Sequence, residues 1–340
     1  MDNIKNDQNV ETPKAKKWPC WKKTLVSAGS TIGGIVVIFL VVILILNMGK
    51  FGYYNTYYSI REVVCTNHGL NDNYVSQGTA VTNDGKYVFT SGYMSDKTHS
   101  RVYVIDTETD SAKYVRFTFN GKLSKGHYGG MAVSEKYNSL YIASDDKLYM
   151  VDLDKVMSAN NGEIIDITSH LDVNNQASFV FTDDNYLYVG EFHDGGTYVT
   201  DNEYTYNGVT HYAIIGVYNI ETLELTKVYS IIDKVQGFAI APSGGLLFST
   251  SFGLNDSHFY YYKESSVINT NDTYDGVPLY FLPEADLIMK APAMAEDLDY
   301  CNGKFYTNFE SSCNKYFFGK FFIQSNWIVT VDIESLIPLN

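Results

Sequence analysis

The chain has 340 residues, of which 45% are hydrophobic, 15% aromatic and 19% charged, a composition that excludes a disordered, collagen-like or small disulfide-stapled protein. Its net charge of -14 argues against a nucleic-acid partner, because a protein held by phosphates needs a basic surface. The length allows one large domain or two ordinary ones, so the organisation has to be found along the chain.

The N-terminal region combines a basic segment with a long apolar run. Residues 1–23 carry six lysines against three acidic residues, and no residue between Lys23 and Lys50 is charged. A helix over this uncharged stretch is long enough to cross a bilayer. We therefore predict a cytoplasmic tail over residues 1–23 and a transmembrane helix over residues 24–49, oriented by the positive-inside rule.

Two other interpretations of the apolar run are weaker. A buried core helix needs at least one polar face, and residues 35–46 are apolar throughout. A cleaved signal peptide should end in a small-x-small site, which the sequence after Asn47 lacks. We predict an uncleaved single-pass anchor in the plasma membrane, which places residues 50–340 outside the cell.

The outer region contains an internal repeat. A Gly-x-Ala-Val pattern at residues 78–81, followed by short alternating strands, returns near residues 130, 177, 237 and 296. Turn pairs such as Asp-Gly and Asn-Gly separate the strands. Repeats of roughly 50 residues with about four strands each are typical of a β-propeller.

We predict an all-β fold: a five-bladed β-propeller, with six blades as the alternative and a plain β-sandwich as a weaker one. The blades start near residues 77, 129, 176, 236 and 296. The last unit has no fourth strand, and an unassigned strand at residues 58–64 precedes the first unit. We predict that residues 58–64 complete the last blade and close the ring, because a propeller cannot leave such an edge unpaired.

The residue pattern of the repeats resembles those of known propeller families. The strand Leu-Tyr-Ile-Ala at residues 140–143 and the run Leu-Tyr-Met-Val-Asp-Leu at residues 148–153 resemble bacterial YVTN-type and gluconolactonase-like propellers. The Gln-Gly pairs and residues 309–316 resemble membrane-anchored propellers of Gram-positive bacteria. The gluconolactonase-like resemblance implies a metal-dependent lactonase, in which Glu296 would match the inner-strand glutamate.

The repeats also predict where a ligand would bind. In a propeller, the starts of the inner strands and the ends of the second strands converge on one face. The candidate ligand-binding residues at these points, with two histidines near the same face, are Gln77, Ser91, His127, Gln176, Glu191, His193, Gln236, Ser251, Glu296 and Glu310.

Three interpretations of this polar ring remain open. Its members could satisfy backbone groups and waters lining the channel, or they could bind a ligand. Glu191, Glu296 and Glu310 could also supply the two carboxylates of a hydrolase. Because the amides are poor anionic ligands and the histidines lack ligand spacing, we predict no metal site and no cofactor, with a divalent cation in the channel as the alternative.

Aromatic loops and cysteines complete the sequence analysis. Loops at residues 192–212 and 316–322 are rich in Tyr and Phe, which suits recognition of a glycan or peptide. Cys65 and Cys313 are predicted to form a disulfide or to remain two free thiols, and Cys301 is left over. We predict a membrane-anchored binding or scaffolding module for a glycan, peptide or protein; the alternative is a propeller hydrolase or metal-dependent lactonase.

Overall fold

The computed structural model describes residues 19–337. Most of the predicted cytoplasmic tail, residues 1–18, lies outside the described residues, as do residues 338–340. The chain separates into two compact units between residues 46 and 47. The described part of the first unit is helical, and the strands found within residues 19–337 all lie in the second unit.

Helix α1 (Cys20–Tyr53) contains the apolar run. It begins four residues before the predicted boundary and ends four residues after it, because the flanking Lys22 and Lys50 continue the helix without a breaker. Side chains such as Ile38 and Leu40 are more than half exposed, so no protein core buries them. Among residues 19–337, α1 is the one helix long and apolar enough to cross a membrane.

Two short elements connect α1 to the propeller. They are α2 (Asn55–Ile60) and β1 (Arg61–Thr66). The prediction that the closing strand covers residues 58–64 needs a correction: residues 58–60 are the last turn of α2, and the strand runs on to Thr66. Tyr57 of α2 is buried against Phe259 and Phe309, and this packing favours the helical turn.

Five antiparallel blades follow, and in each the first strand of the repeat is innermost. The first blade and the strand that later joins its outer edge are β2 (Tyr74–Val81), β3 (Tyr87–Met94), β4 (Val102–Asp106), β5 (Ser111–Phe119), β6 (Lys122–Leu123) and β10 (Glu163–Ile167). The second blade and its helix are β7 (Met131–Ser134), β8 (Ser139–Ser144), β9 (Lys147–Asp152), α3 (Leu153–Ser158) and β11 (Ser169–Asp172).

The third blade, like the first, is a six-stranded sheet. Its own strands and the hairpin inserted between them are β12 (Phe179–Thr182), β13 (Tyr186–Gly190), β14 (Tyr204–Tyr206), β15 (Val209–His211), β16 (Ala213–Asn219) and β17 (Leu225–Ile231). The fourth repeat and the hairpin within it are β18 (Val235–Ile240), β19 (Leu246–Thr250), β20 (Ser257–Tyr262), β21 (Ile268–Tyr274), β22 (Val277–Phe281) and β23 (Leu287–Ala291).

These hairpins explain the long third and fourth repeats. Strands β14 and β15 pair only with each other, whereas β22 pairs in parallel with β17, so the hairpin β21–β22 extends the third blade. The extra residues therefore enlarge an existing blade and do not form a sixth. The prediction of a five-bladed propeller preceded by an apolar helix is confirmed.

The last blade joins both ends of the propeller sequence. It consists of β24 (Ala295–Cys301), β25 (Lys304–Phe309), β26 (Trp327–Val331) and, on the outside, β1. Strand β1 pairs antiparallel with β26 from Arg61 opposite Val331 to Thr66 opposite Trp327. A short helical turn, Gly319–Ile323, lies in the loop between β25 and β26.

Neighbouring inner strands approach closely because glycine occupies their contact points. A Cβ atom added to Gly130 would lie 2.5 Å from the Cα of Phe179 in the next blade. One added to Gly237 would lie 2.4 Å from the Cα of Asp297. Glycine at these positions therefore lets neighbouring inner strands approach closely around the centre.

All three cysteines of the propeller are buried free thiols in this structure. Cys65 and Cys301 belong to the hydrophobic cluster around Tyr74 and Tyr103, whereas Cys313 packs in a separate cluster with Leu70 and Val75. The Cys65–Cys313 disulfide stays a prediction.

Candidate functional site

A cavity of about 390 Å³ opens at the centre of one face of the propeller. Every blade contributes to its wall, through an inner-strand start, a second-strand end or the loop after it. Of the candidate residues from the sequence, those that line the cavity are Gln77, His127, Gln176, Gln236, Ser251, Glu296 and Glu310.

Three of these side chains occupy the same kind of backbone irregularity. The pairing register shifts between Ser76 and Thr79, between Val235 and Gly237, and between Ala295 and Leu298. Gln77, Gln236 and Glu296 lie inside these shifts, at the start of their inner strands. A β-bulge redirects a side chain out of the regular alternation, and here it accompanies a polar side chain at the cavity in three blades.

Two carboxyl groups of the fifth blade face the cavity together. Glu296 is 3% exposed, and its side chain accepts no hydrogen bond from any residue in the described range 19–337. Burial, followed by the charges of Glu310 and Asp297, raises the pKa of Glu296 well above its usual range. Burial also raises the pKa of Glu310 to about 7. Near neutral pH the two carboxyl groups therefore carry less than two negative charges.

Glu310 is held by partners from two blades. Gln77 Nε2 donates to Glu310 Oε2 at 2.7 Å and also to the carbonyl of Ser76 at 3.0 Å. The backbone N–H of Glu310 donates to the carbonyl of Met294 at 3.1 Å. Glu310 follows the end of β25 by one position and lies at the cavity wall.

A cation and an aromatic ring form the adjoining wall. Lys315 Nζ donates to the hydroxyl of Tyr93 and lies 4.9 Å from the ring centroid of Tyr316. The ring of Tyr93 packs edge-on against His127, with 4.4 Å between centroids. The cavity therefore places one lysine in the same wall as the carboxyl pair.

The two remaining glutamines have weakly engaged amides. Gln236 Nε2 donates to the carbonyl of Ser251 at 3.4 Å, and Gln176 Nε2 donates to the carbonyl of Val199 at the same distance. Bonds of this length are near the limit for hydrogen bonding. Both amides can therefore turn to a ligand at little cost.

Three candidate residues from the sequence have structural roles away from the cavity wall. Ser91 donates to the carbonyl of Tyr128 at 3.1 Å. Glu191 is buried and accepts from Asn202 Nδ2 at 2.7 Å and from the N–H of Ile214 at 3.0 Å, which fixes the loop after β13.

His193 belongs to the same loop. Its Nδ1 lies 3.0 Å from the Thr200 hydroxyl, and its ring stacks on Tyr212 with 5.0 Å between centroids. The residue is buried and stabilises the loop that carries Tyr198 to the cavity.

A buried carboxyl group joins three blades near the centre of the ring. Asp297 Oδ2 accepts from the N–H of Thr79 at 3.1 Å and from the N–H of Met131 at 2.9 Å. Asp299 Oδ2 accepts from the N–H of Val81 at 2.7 Å. Burial raises the pKa of Asp297 well above its usual range and that of Asp299 to about 7. These two groups hold inner strands together and do not line the cavity.

Several residues of the cavity wall were not among the candidates from the sequence. They include Tyr93, Asp145, Phe252, Met294 and Lys315. Lys315 belongs to residues 309–316, the segment that resembles membrane-anchored propellers. That resemblance could have identified Lys315 as a candidate. Phe252 and Asp145 follow second-strand ends directly, so an extension of the repeat alignment by one position would have found them.

The described residues contain no cluster of side chains typical of a transition-metal centre. Within residues 19–337, no group of three or more His, Cys, Asp or Glu side chains is arranged to hold a metal ion. A hard cation such as Ca²⁺ also binds amide and backbone carbonyl oxygens, which this wall contains, so a divalent cation in the channel stays an alternative.

Comparison with known proteins gives similarity of fold. No family model and no curated protein sequence matches the chain. Solved structures that resemble it include Kuenenia stuttgartiensis hydrazine synthase (13% identity, TM-score 0.40), which matches 71% of this chain and 57% of that one, so the chain spans just over half of its length.

Two further solved structures illustrate the range of propellers that match. One is the PQQ-bound aldose sugar dehydrogenase of Streptomyces coelicolor, at 15% identity over 74% of this chain and 77% of that one, with TM-score 0.43. The other is the WD40 domain of Toxoplasma gondii coronin, at 9% identity over 73% and 72%, with TM-score 0.37. At these identities the similarity concerns the fold alone.

Proposed function

We propose that the chain is a single-pass membrane protein whose α1 helix anchors an external propeller that binds a carbohydrate in its central cavity. The observation that carries the proposal is the composition of the cavity wall: three glutamine amides, a carboxyl pair and aromatic rings converge from all five blades. The volume of about 390 Å³ falls in the range of small-molecule sites.

The chemistry of the wall suits a ligand rich in hydroxyl groups. Each hydroxyl both donates and accepts, and so does each amide of Gln77, Gln176 and Gln236. Because their pKa values are raised, the carboxyl groups of Glu296 and Glu310 can also donate when protonated and accept when ionised. Flat rings such as those of Tyr198, Phe252 and Tyr316 offer apolar faces beside these polar groups.

The external location follows from the charge pattern of the sequence. The lysine-rich segment precedes α1, and the positive-inside rule then leaves the propeller on the opposite side of the membrane. An external propeller with a polar, aromatic cavity fits a role in binding a surface glycan. A peptide or a protein loop is the competing ligand class.

The first test is binding to an oligosaccharide array by the full chain in detergent micelles, followed by calorimetry with the sugars that bind. We expect Gln236→Ala to weaken binding at least about fivefold, since it removes a hydrogen bond worth about 1 kcal/mol. The matched control is Asn83→Ala, whose side chain is exposed in the β2–β3 turn outside the cavity. Binding of peptides but no sugar would overturn the carbohydrate proposal.

Hydrolysis is the second candidate, and the raised pKa values of Glu296 and Glu310 favour it. One carboxyl group that holds its proton near neutral pH can act as a general acid. A hydrolase predicts that Glu296→Gln abolishes turnover of a bound sugar and leaves its affinity within a few-fold of the original. A binding protein predicts no turnover by either form.

A further inference from the structure

The last turn of α1 is fastened to the loop between β25 and β26. Asn47 Nδ2 donates to the carbonyl of Phe321 at 3.0 Å. Lys50 Nζ donates to the carbonyls of Ile323 and Gln324 at 3.2 Å and 3.0 Å. The apolar run of α1 ends at Leu46, so these contacts begin at the next residue. If α1 crosses the bilayer, this loop lies at the lipid headgroups.

The same loop exposes aromatic side chains to solvent. Phe317 is 54% exposed and Phe318 is 61% exposed. Their rings contact those of Phe321, at 4.9 Å, and Phe322, at 5.9 Å. Four clustered phenylalanine rings form a contiguous apolar surface, and such surfaces on soluble domains mark interaction sites.

A small cleft beside this loop contains two cations. About 160 Å³ in volume, it is lined by Lys50 and Arg61 together with Phe51, Tyr58 and Trp327. The Arg61 guanidinium lies 4.8 Å from the ring centroid of Tyr58. Within residues 19–337, neither cation has a carboxylate within ion-pair distance, although the whole chain carries a net charge of -14.

We propose that this face of the propeller is a second membrane contact: Phe317 and Phe318 enter the boundary between headgroups and acyl chains, and Lys50 and Arg61 bind the phosphate of an anionic phospholipid. Aromatic rings favour that boundary, and cations near a negatively charged leaflet gain electrostatic attraction. The neighbouring residues Lys315 and Tyr316 line the central cavity, so this loop also contributes to the cavity wall. The proposal rests on the proposed crossing of the membrane by α1.

The test places a fluorescent label in full-length chain reconstituted into liposomes. The variant Phe318→Cys, in a Cys20→Ser background, is labelled with an NBD dye, because burial raises the pKa of the three other thiols and keeps them unreactive. The fluorescence of the NBD label at Phe318→Cys should be quenched by spin-labelled lipids. The label at the matched control Asn83→Cys, in the exposed β2–β3 turn, should not be quenched. A third site, Ile38→Cys, reports the anchoring itself.

Each outcome decides a different point. Quenching at position 38 without quenching at position 318 supports the anchor and overturns the second membrane contact. A blue-shifted but unquenched label at position 318 also overturns it, because a second protein copy then covers the patch. Absence of quenching at position 38 overturns the membrane anchor of the proposed function.

A separate measurement tests whether the anionic lipid headgroup binds. The melting temperature of the reconstituted chain should be higher in liposomes containing phosphatidylglycerol than in pure phosphatidylcholine. Arg61→Gln should remove that difference, and Lys86→Gln, in the β2–β3 turn, should retain it. An equal rise with inorganic phosphate in pure phosphatidylcholine would overturn the lipid as the source of the phosphate.

Discussion

The amide of Gln77 and the carboxylate of Glu310 are joined at 2.7 Å, and this bond links the first blade to the last across the wall of the central cavity. A hydrogen bond to an ionised group stabilises a protein by about 1.5–3 kcal/mol. Because the pKa of Glu310 is about 7, the full strength of the bond is present only where the carboxyl group has lost its proton.

We therefore expect a pH-dependent loss of stability in Gln77→Ala. The variant should lose about 1.5–3 kcal/mol at pH 8 and clearly less at pH 5. Thermal and denaturant unfolding of the full chain in detergent micelles would measure this. An equal loss at both pH values would show that Gln77 contributes through packing and not through the Glu310 carboxylate.

Replacement of Glu296 tests its raised pKa. Its folded pKa is raised, so the unfolded chain loses this proton at a lower pH than the folded chain does. The stability that the protonated group contributes is complete below pH 4.5, and it is lost as the pH rises through the raised folded value. Glu296→Gln should match the unmodified chain at pH 4.5 and melt at a higher temperature at pH 8. A lower melting temperature at pH 8 would contradict the raised pKa.

Asp297 offers a separate test of how the blades are held together. Its carboxyl group accepts the N–H groups of Thr79 and Met131, and Asp297→Ala would leave both donors buried without a partner. Each such donor costs about 1–3 kcal/mol, so we expect a loss of about 2–6 kcal/mol. Asp297→Asn keeps an acceptor oxygen and should lose much less. Similar losses for both variants would mean that the charge, and not the acceptor, matters.

Close approach between inner strands predicts a large effect of a single methyl group. In Gly237→Ala the new Cβ would lie 2.4 Å from backbone atoms of the fifth blade, which cannot move like a flexible side chain. We expect a loss of about 1–3 kcal/mol or more from overpacking. Gly196→Ala is the matched control, because its Cβ would meet nothing closer than 3.8 Å. Equal unfolding midpoints for the two variants would contradict the close packing.

The repeat in the sequence predicted the propeller because each blade reuses one local pattern. The Gly-x-Ala-Val pattern marks the start of an inner strand, and a turn such as Asn302–Gly303 marks the boundary between two strands. Both residues of that turn have left-handed backbone, which favours Asn and Gly. The assignment of β22 to the third blade could not be predicted in this way. It depends on a parallel pairing with β17 that local alternation does not encode.

The cavity wall was only partly predictable for a similar reason. The alignment located Gln77, Gln236 and Glu296 because their bulges occur at the same position of each repeat. It also placed Glu191 there, but that carboxylate turns to the N–H of Ile214 in its own blade. The neighbours that decide such orientations come from loops with no counterpart in the other repeats.

The pairing of β1 with β26 has a consequence for the order of events during synthesis. Strand β1 leaves the ribosome before any blade does, and its partner β26 is the last strand of the propeller to follow. The ring therefore closes only after translation of the propeller is nearly complete, and until then the edge of β1 stays unpaired. An interruption of translation before β26 would leave an open ring with exposed strand edges.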